Sequence, residues 1–168
     1  MSMKLSSKGA KLIHQLEESG KPALQAYKCQ AGHWTIGYGH TSQAGAPDVT
    51  EGMVITAEEA DSIFVSDIAP IQERLSNALD NSKVTITQEQ FDALVSFAFN
   101  EGTEALLTST AYQWLAVGKP KTSVAAALCL WLKLVDPDSG EKVVHSDLAD
   151  RRYREARLFV EGNYGENI

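Results

Sequence analysis

At 168 residues and 43% hydrophobic composition, the chain is long enough to bury a real core as one domain or as two closely packed lobes. Its 15 Lys and Arg against 22 Asp and Glu give a net charge of -7 with no basic run, which argues against nucleic acid as a partner, because phosphate binding needs clustered cations. The opening MSMKLSSKGAKLIHQ holds no apolar segment long enough for a signal peptide or a membrane span, so nothing in it directs export.

In chain order, Ser6 or Ser7 can cap a first helix in which Ala10, Leu12, Ile13 and Leu16 recur at helical spacing. That helix ends at Glu17 and Glu18, where Gly20 and Pro22 break it. Two adjacent glutamates at a helix end are as a rule simply solvated. Next, Leu24 to Cys29 and Trp34 to Tyr38 flank Gln30-Ala31-Gly32-His33 and read as a hairpin. A three-residue loop at 31–33, centred on Gly32, pairs position 29 with position 35 and places Cys29 opposite Thr35. Gly37 and Gly39 then supply backbone freedom and room for something to approach closely, as in the wall of a cleft.

Residues 41–56 are rich in turn formers, with Met53 to Ile55 as a third short strand. Thr56-Ala57-Glu58-Glu59 reads as a capping box opening a long helix through Ile63, Phe64, Ile68, Ile71, Leu75 and Leu79, kinked at Pro70. A second capping box, Thr87-Gln88-Glu89-Gln90, opens a central core helix whose apolar face carries Phe91, Leu94, Val95, Ala98 and Phe99. Thr108-Ser109-Thr110 starts another helix, ended by Gly118 and Pro120. The apolar run Val124 to Leu134 predicts a helix that buries Cys129 as a small hydrophobe, followed by a turn at 136–140. The last helix follows Ser146 and sets Tyr153, Ala156, Phe159 and Val160 on one face, closing at Gly162.

Most motifs for other chemistries fail on spacing. Gly37-Tyr38-Gly39 lacks the third glycine of a dinucleotide loop, since position 42 is Ser42. The histidines at 14, 33, 40 and 145 have no ligand spacing, the two cysteines form no CxxC pair, and no GxSxG elbow is present. Neither a metal nor a cofactor is therefore expected.

What remains is Glu17, then Cys29, then Thr35-Ile36-Gly37-Tyr38-Gly39-His40, with Thr35 six positions after Cys29. This stretch resembles the catalytic region of the phage-type lysozymes, the muramidase endolysins. There, a glutamate ends the first helix, an aspartate or cysteine precedes the hairpin turn, and a threonine follows six residues later. QFDALVSFAFNEG and the RRYRE segment at 151–155 are also similar to family segments. One departure is that the family's glutamate lies nine residues before the aspartate or cysteine. Here that position is Gly20, so two or three extra residues stand around Ser19, Gly20 and Lys21.

The resemblance implies an α+β lysozyme-like fold with an active-site cleft between two lobes. The small lobe, about 19–56, holds the hairpin or a short three-stranded sheet; a connecting helix spans about 57–80; the helical lobe spans about 81–168, with the N-terminal helix 6–18 packed near it. It implies hydrolysis of the β-1,4 bond between N-acetylmuramic acid and N-acetylglucosamine in peptidoglycan, by inversion. Glu17, with Glu18 as the alternative, would be the acid, and Cys29 and Thr35 would position the water. Thr41, Phe99 and Ser109 would contact substrate.

Such a glutamate stays protonated near neutrality only if desolvation or a neighbouring negative charge raises its pKa. Cys29 can serve as a weak base, as a thiolate or as a group that merely orients water. The resemblance further implies a monomer made in the host cytoplasm, reaching the periplasmic wall through a holin. Two alternatives are a non-catalytic wall-binding module, for which the displaced glutamate argues, and a hydrolase of chitin-type polysaccharides.

Overall fold

The computed structural model describes residues 2–18, 20–166 and 168, with Glu18 described by its backbone alone. Ser19 therefore lies outside the described residues, as does the side chain of Glu18. The elements run α1 (Ser7–Glu18), β1 (Ala23–Lys28), β2 (Trp34–Gly37), β3 (His40–Thr41), a 3-10 turn (Ser42–Ala44), α2 (Ala57–Ser82), α3 (Gln88–Glu101), α4 (Thr103–Thr108), α5 (Thr110–Ala116), α6 (Lys121–Leu128), β4 (Lys133–Val135), β5 (Lys142–Val144) and α7 (Ser146–Glu161). This is an α+β lysozyme-like architecture. The chain divides into two compact units, Ile13–Pro70 and Met1–Leu12 with Ile71–Ile168.

In the first unit the sheet order is β1-β2-β3, antiparallel throughout. The third strand is His40–Thr41 and not Met53–Ile55. The latter segment instead meets the free edge of β1 through a single bridge, Gln25 to Val54, with Ala26 N–H donating to the Met53 carbonyl and Ile55 N–H to that of Leu24. Extended backbone alone was legible there. Which edge it would meet depends on the path of the whole loop. The Thr56 capping box forms as expected, the hydroxyl accepting from Glu59 N–H at 3.1 Å and the Glu59 carboxylate accepting from Thr56 N–H at 2.7 Å.

Ring stacking and a buried hydrogen bond pin the strand-bearing motif to the helices of this unit. The Tyr38 ring stacks on His14 of α1 at 3.7 Å, and His14 meets the edge of Phe64 of α2 at 4.4 Å. Burial lowers the His14 pKa, although the nearby Asp61 carboxylate opposes this, and the neutral ring therefore stacks as an aromatic. His40 is 1% exposed, with Nδ1 2.8 Å from the Asp67 carboxylate of α2 and Nε2 2.8 Å from the Pro47 carbonyl. The Pro47 carbonyl can only accept, so Nε2 carries a proton and donates to it, while Nδ1 shares a hydrogen bond with the Asp67 carboxyl, whose pKa burial pushes up. These anchors fix the backbone between Thr35 and Thr41, on which the candidate site is built.

In the second unit α3 is the central helix, buried along its whole stretch from Phe91 to Ala98. Its Thr87 capping box is complete. The aromatic side chains of α3 that fill the core are Phe91 and Phe97, both fully buried, whereas Phe99 is half-buried. A helix surrounded on all sides gives no amphipathic phase from which to choose between Phe97 and Phe99. Ser109, itself the cap of α5, is preceded by the short helix α4, which has too few residues to show a period.

The expected helix from Val124 to Leu134 ends at Leu128. Beyond it, Lys133–Val135 pairs with Lys142–Val144 as an antiparallel hairpin across the turn at Asp136. An almost wholly apolar run carries no period to separate a buried helix from an exposed strand. Cys129 sits half-buried at the end of α6, its thiol 3.8 Å from the Arg152 carbonyl. On α7 the buried face is Leu148, Arg151, Arg152, Glu155, Leu158 and Phe159, while Tyr153 is 59% exposed. Apolar spacing turned this face wrongly because its centre is charged. Gly162 closes the helix in the left-handed conformation, φ 69°.

Buried Asp92 of α3 ties down both chain ends of this unit. Its carboxylate accepts from the backbone and hydroxyl of Ser6 and from the Tyr164 hydroxyl at 2.7 Å. Desolvation, together with that hydrogen bond, pushes the Tyr164 phenol up to about 12.

Candidate active site

The hairpin turn places Cys29 differently from the sequence expectation. The loop is Gln30-Ala31-Gly32: Gly32 N–H donates to the Cys29 carbonyl at 2.8 Å, and Cys29 N–H donates to the His33 carbonyl at 3.0 Å. Gly32, at φ +82°, is the last loop residue, where a type I turn followed by a left-handed residue needs it. Centring the loop on Gly32 shifted the register by two. Tyr27, and not Cys29, stands opposite Thr35. A shift of two preserves the face, because side chains alternate with period two, so Cys29 and Thr35 still share one side of the hairpin.

Thr35 is 3% exposed, and its hydroxyl donates to the His33 carbonyl at 3.0 Å. Burial pushes the Cys29 thiol up, but hydrogen bonds from the His33 backbone, the Thr35 hydroxyl and the Ala31 and Gly32 backbone outweigh it. The net result is a thiol below its ordinary range. These loop amides carry no sequence signature. They act because the turn curls them towards the sulfur.

Glu17 sits in the last turn of α1, and what approaches Gly39 so closely is this carboxylate. A Cβ on Gly39 would lie 3.0 Å from Glu17 Oε2, on a backbone at φ +85° that side chains disfavour in any case. Gly20 N–H donates back to the His14 carbonyl at 3.0 Å, tying the chain after the helix to its last turns. Glu17 thereby stays on the helix, against the Tyr38-Gly39 turn.

Thr41, directly across from Thr35, lines a hollow of about 230 Å³ with His33, Trp34, Gln43 and Val49. The remaining two expected site residues lie in the other unit. Phe99 is half-buried near the end of α3, and Ser109 is 5% exposed with its hydroxyl engaged in the α5 cap, donating to the Leu106 carbonyl and accepting from Tyr112 N–H. Among the described residues no cluster of three metal-ligating side chains occurs, and no helix is long and apolar enough to cross a membrane.

Comparison with known proteins agrees with this fold. The phage lysozyme family pattern matches residues 18–155. An endolysin of Acyrthosiphon pisum secondary endosymbiont phage 1 is 37% identical over 157 residues, covering 94% of this chain and 98% of that one. The endolysin of Salmonella phage P22 is 35% identical over 159 residues, covering 94% and 99%. Among solved structures, the endolysin from Escherichia coli O157:H7 phage FAHEc1 superposes with a TM-score of 0.87 at 35% identity, covering 99% of each chain. The chain belongs to the phage lysozyme family.

Proposed function

We propose that this protein is an endolysin that hydrolyses the β-1,4 bond between N-acetylmuramic acid and N-acetylglucosamine of bacterial peptidoglycan, with inversion at the cleaved carbon. The observation that carries the reading is a helix-end carboxylate packed on the Gly39 turn, with a thiol of lowered pKa just past the end of β1, on the same side of the hairpin as Thr35. Glycosidic cleavage needs an acid at the leaving oxygen and a base for water on the opposite face. Glu17 donates its proton to the bridging oxygen as the bond from C1 breaks. A water held by Thr35 and Cys29 adds its oxygen to C1 and passes its proton to the Cys29 thiolate. Proton return from Cys29 to Glu17 through solvent restores the starting state. Thr41 and the hollow it lines supply contacts to a sugar.

A wall-binding module without chemistry is less well supported, since curated endolysins match this chain over nearly its whole length. On the same reading the protein acts as a monomer and reaches the wall through a holin.

Cysteine substitution tests the assignment. Cys29→Asp, which keeps a group able to take a proton, is expected to stay active, whereas Cys29→Ala is expected to lose about tenfold or more in turbidity assays on permeabilised Gram-negative cells. Iodoacetamide should inactivate the wild type and spare Cys29→Asp. Deprotonation makes the thiol reactive, so a lowered pKa moves Cys29 alkylation to lower pH than for an ordinary thiol. Cys129 should react only at higher pH, because burial and the Glu155 carboxylate push its thiol up. Full activity in Cys29→Ala would leave Thr35 alone to place the water.

A further inference from the structure

Glu17 shares a face of α1 with His14, three residues earlier, and both side chains meet the turn that carries Tyr38 and Gly39. The imidazole lies flat on the Tyr38 ring, 5° from parallel, and Phe64 of α2 closes edge-on against both rings, at 4.4 Å and 5.8 Å. Tyr38 is 7% exposed, and a phenylalanine would fill its place equally well. What the tyrosine adds is a hydroxyl that donates to the Asp61 carboxylate, one helical turn before Phe64; burial, the Asp61 charge and this bond push the phenol up. His14 Nε2 is buried with no hydrogen-bond partner among the described residues, a cost that an aliphatic side chain would avoid. Stacking on a phenol requires a flat ring. Three elements thus meet at one tyrosine: α2 through its hydroxyl, α1 through its ring, and the turn through its backbone. The next residue, Gly39, is the one against which the Glu17 carboxylate packs.

We propose that Asp61, Tyr38 and His14 form a clamp that positions the acid. Asp61 fixes the angle of the Tyr38 ring, the ring fixes the height of α1 through His14, and the Gly39 turn receives Glu17 at the resulting separation. These three are positioning residues, acting on the reaction only through Glu17. The proposal rests on the reading of Glu17 as the acid of a muramidase.

Tyr38→Phe, Asp61→Ala and His14→Leu each remove one link. Each is expected to lower kcat on purified peptidoglycan about tenfold with KM unchanged, since a displaced carboxyl delivers its proton poorly. Asp61→Asn, whose amide oxygen still accepts from the phenol, should keep the wild-type kcat. Combining Tyr38→Phe with Asp61→Ala should cost no more than either alone, and adding Tyr38→Phe to Glu17→Gln should cost nothing further. NMR reads the clamp without turnover: the Overhauser contact between the Glu17 γ-protons and the Gly39 α-protons should be present in the wild type and weakened in Tyr38→Phe. Full kcat in Tyr38→Phe, a loss that falls on KM, a loss of the same size in the Glu17→Gln background, or an unchanged Glu17–Gly39 contact would each overturn the proposal. If the wild type cleaves no peptidoglycan, or Glu17→Gln keeps full activity, the functional reading fails instead, and the NMR contact still decides whether the clamp holds Glu17.

Discussion

Glu17→Gln is expected to lower the rate of wall hydrolysis by about two to four orders of magnitude while leaving the thermal melt unchanged. The amide keeps the size of the side chain and its place against Gly39, so packing survives. It holds no proton that it can give up to a leaving oxygen. The loss should fall on kcat, because proton donation matters only as the bond breaks. Glu18→Gln is the matched control and should retain activity. The reverse outcome, an active Glu17→Gln with a dead Glu18→Gln, would move the acid by one residue.

Glu155→Ala should produce the largest change in stability, about 3–5 kcal/mol in urea or thermal unfolding. Glu155 is fully buried, accepting from the Ser96 hydroxyl at 2.7 Å and from Arg151 Nε at 3.1 Å, with Arg152 Nε 2.8 Å from its second oxygen. Arg152 is fully buried too, and it also reaches Asn100 at 2.6 Å and Glu101 at 3.3 Å while lying 4.6 Å from the Phe97 ring centre. Removing the glutamate leaves two guanidinium groups inside the protein with much of their compensation gone. A charge stranded in this way costs more than the pair was worth. A change under about 0.5 kcal/mol, typical of surface sites, would mean that water or another carboxylate reaches the arginines.

This network marks where the sequence stops being legible. Hydrophobic spacing located α7 and its end at Gly162, yet it chose Tyr153 for the inner face and passed over Arg151, Arg152 and Glu155. Charged residues enter a core only through partners from other elements, here Ser96, Asn100 and Glu101 of α3, and no local window contains those. The i,i+4 spacing of Arg151 and Glu155 was the one visible trace, and it suits an exposed pair equally well. Capping chemistry transferred far better. Both boxes, at Thr56 and Thr87, form as written, because each is complete within four residues.

The site divides along the same line. Glu17 at the helix end, the Cys29 to Thr35 spacing and the room at Gly39 were readable because each is set by residues adjacent in the chain. The hairpin register was not, since it turns on whether Gly32 takes the middle or the last place in its loop, and the last place is where its positive φ is needed. The backbone amides around the Cys29 sulfur follow from that register. The hairpin of β4 and β5 was not legible, because its first strand overlaps the end of an almost wholly apolar run and its second is only three residues long.

The central claim, that this protein hydrolyses a glycosidic bond of the bacterial wall, is tested most directly by the ends it creates. Purified peptidoglycan digested with the wild-type protein, reduced with borohydride and analysed by mass spectrometry should yield fragments ending in reduced N-acetylmuramic acid, with no new amino groups. Fragments a water lighter, ending in anhydromuramic acid, would mean that no water is added at all. Reduced N-acetylglucosamine ends or freed peptide amines would place the cut at a different bond and contradict the account.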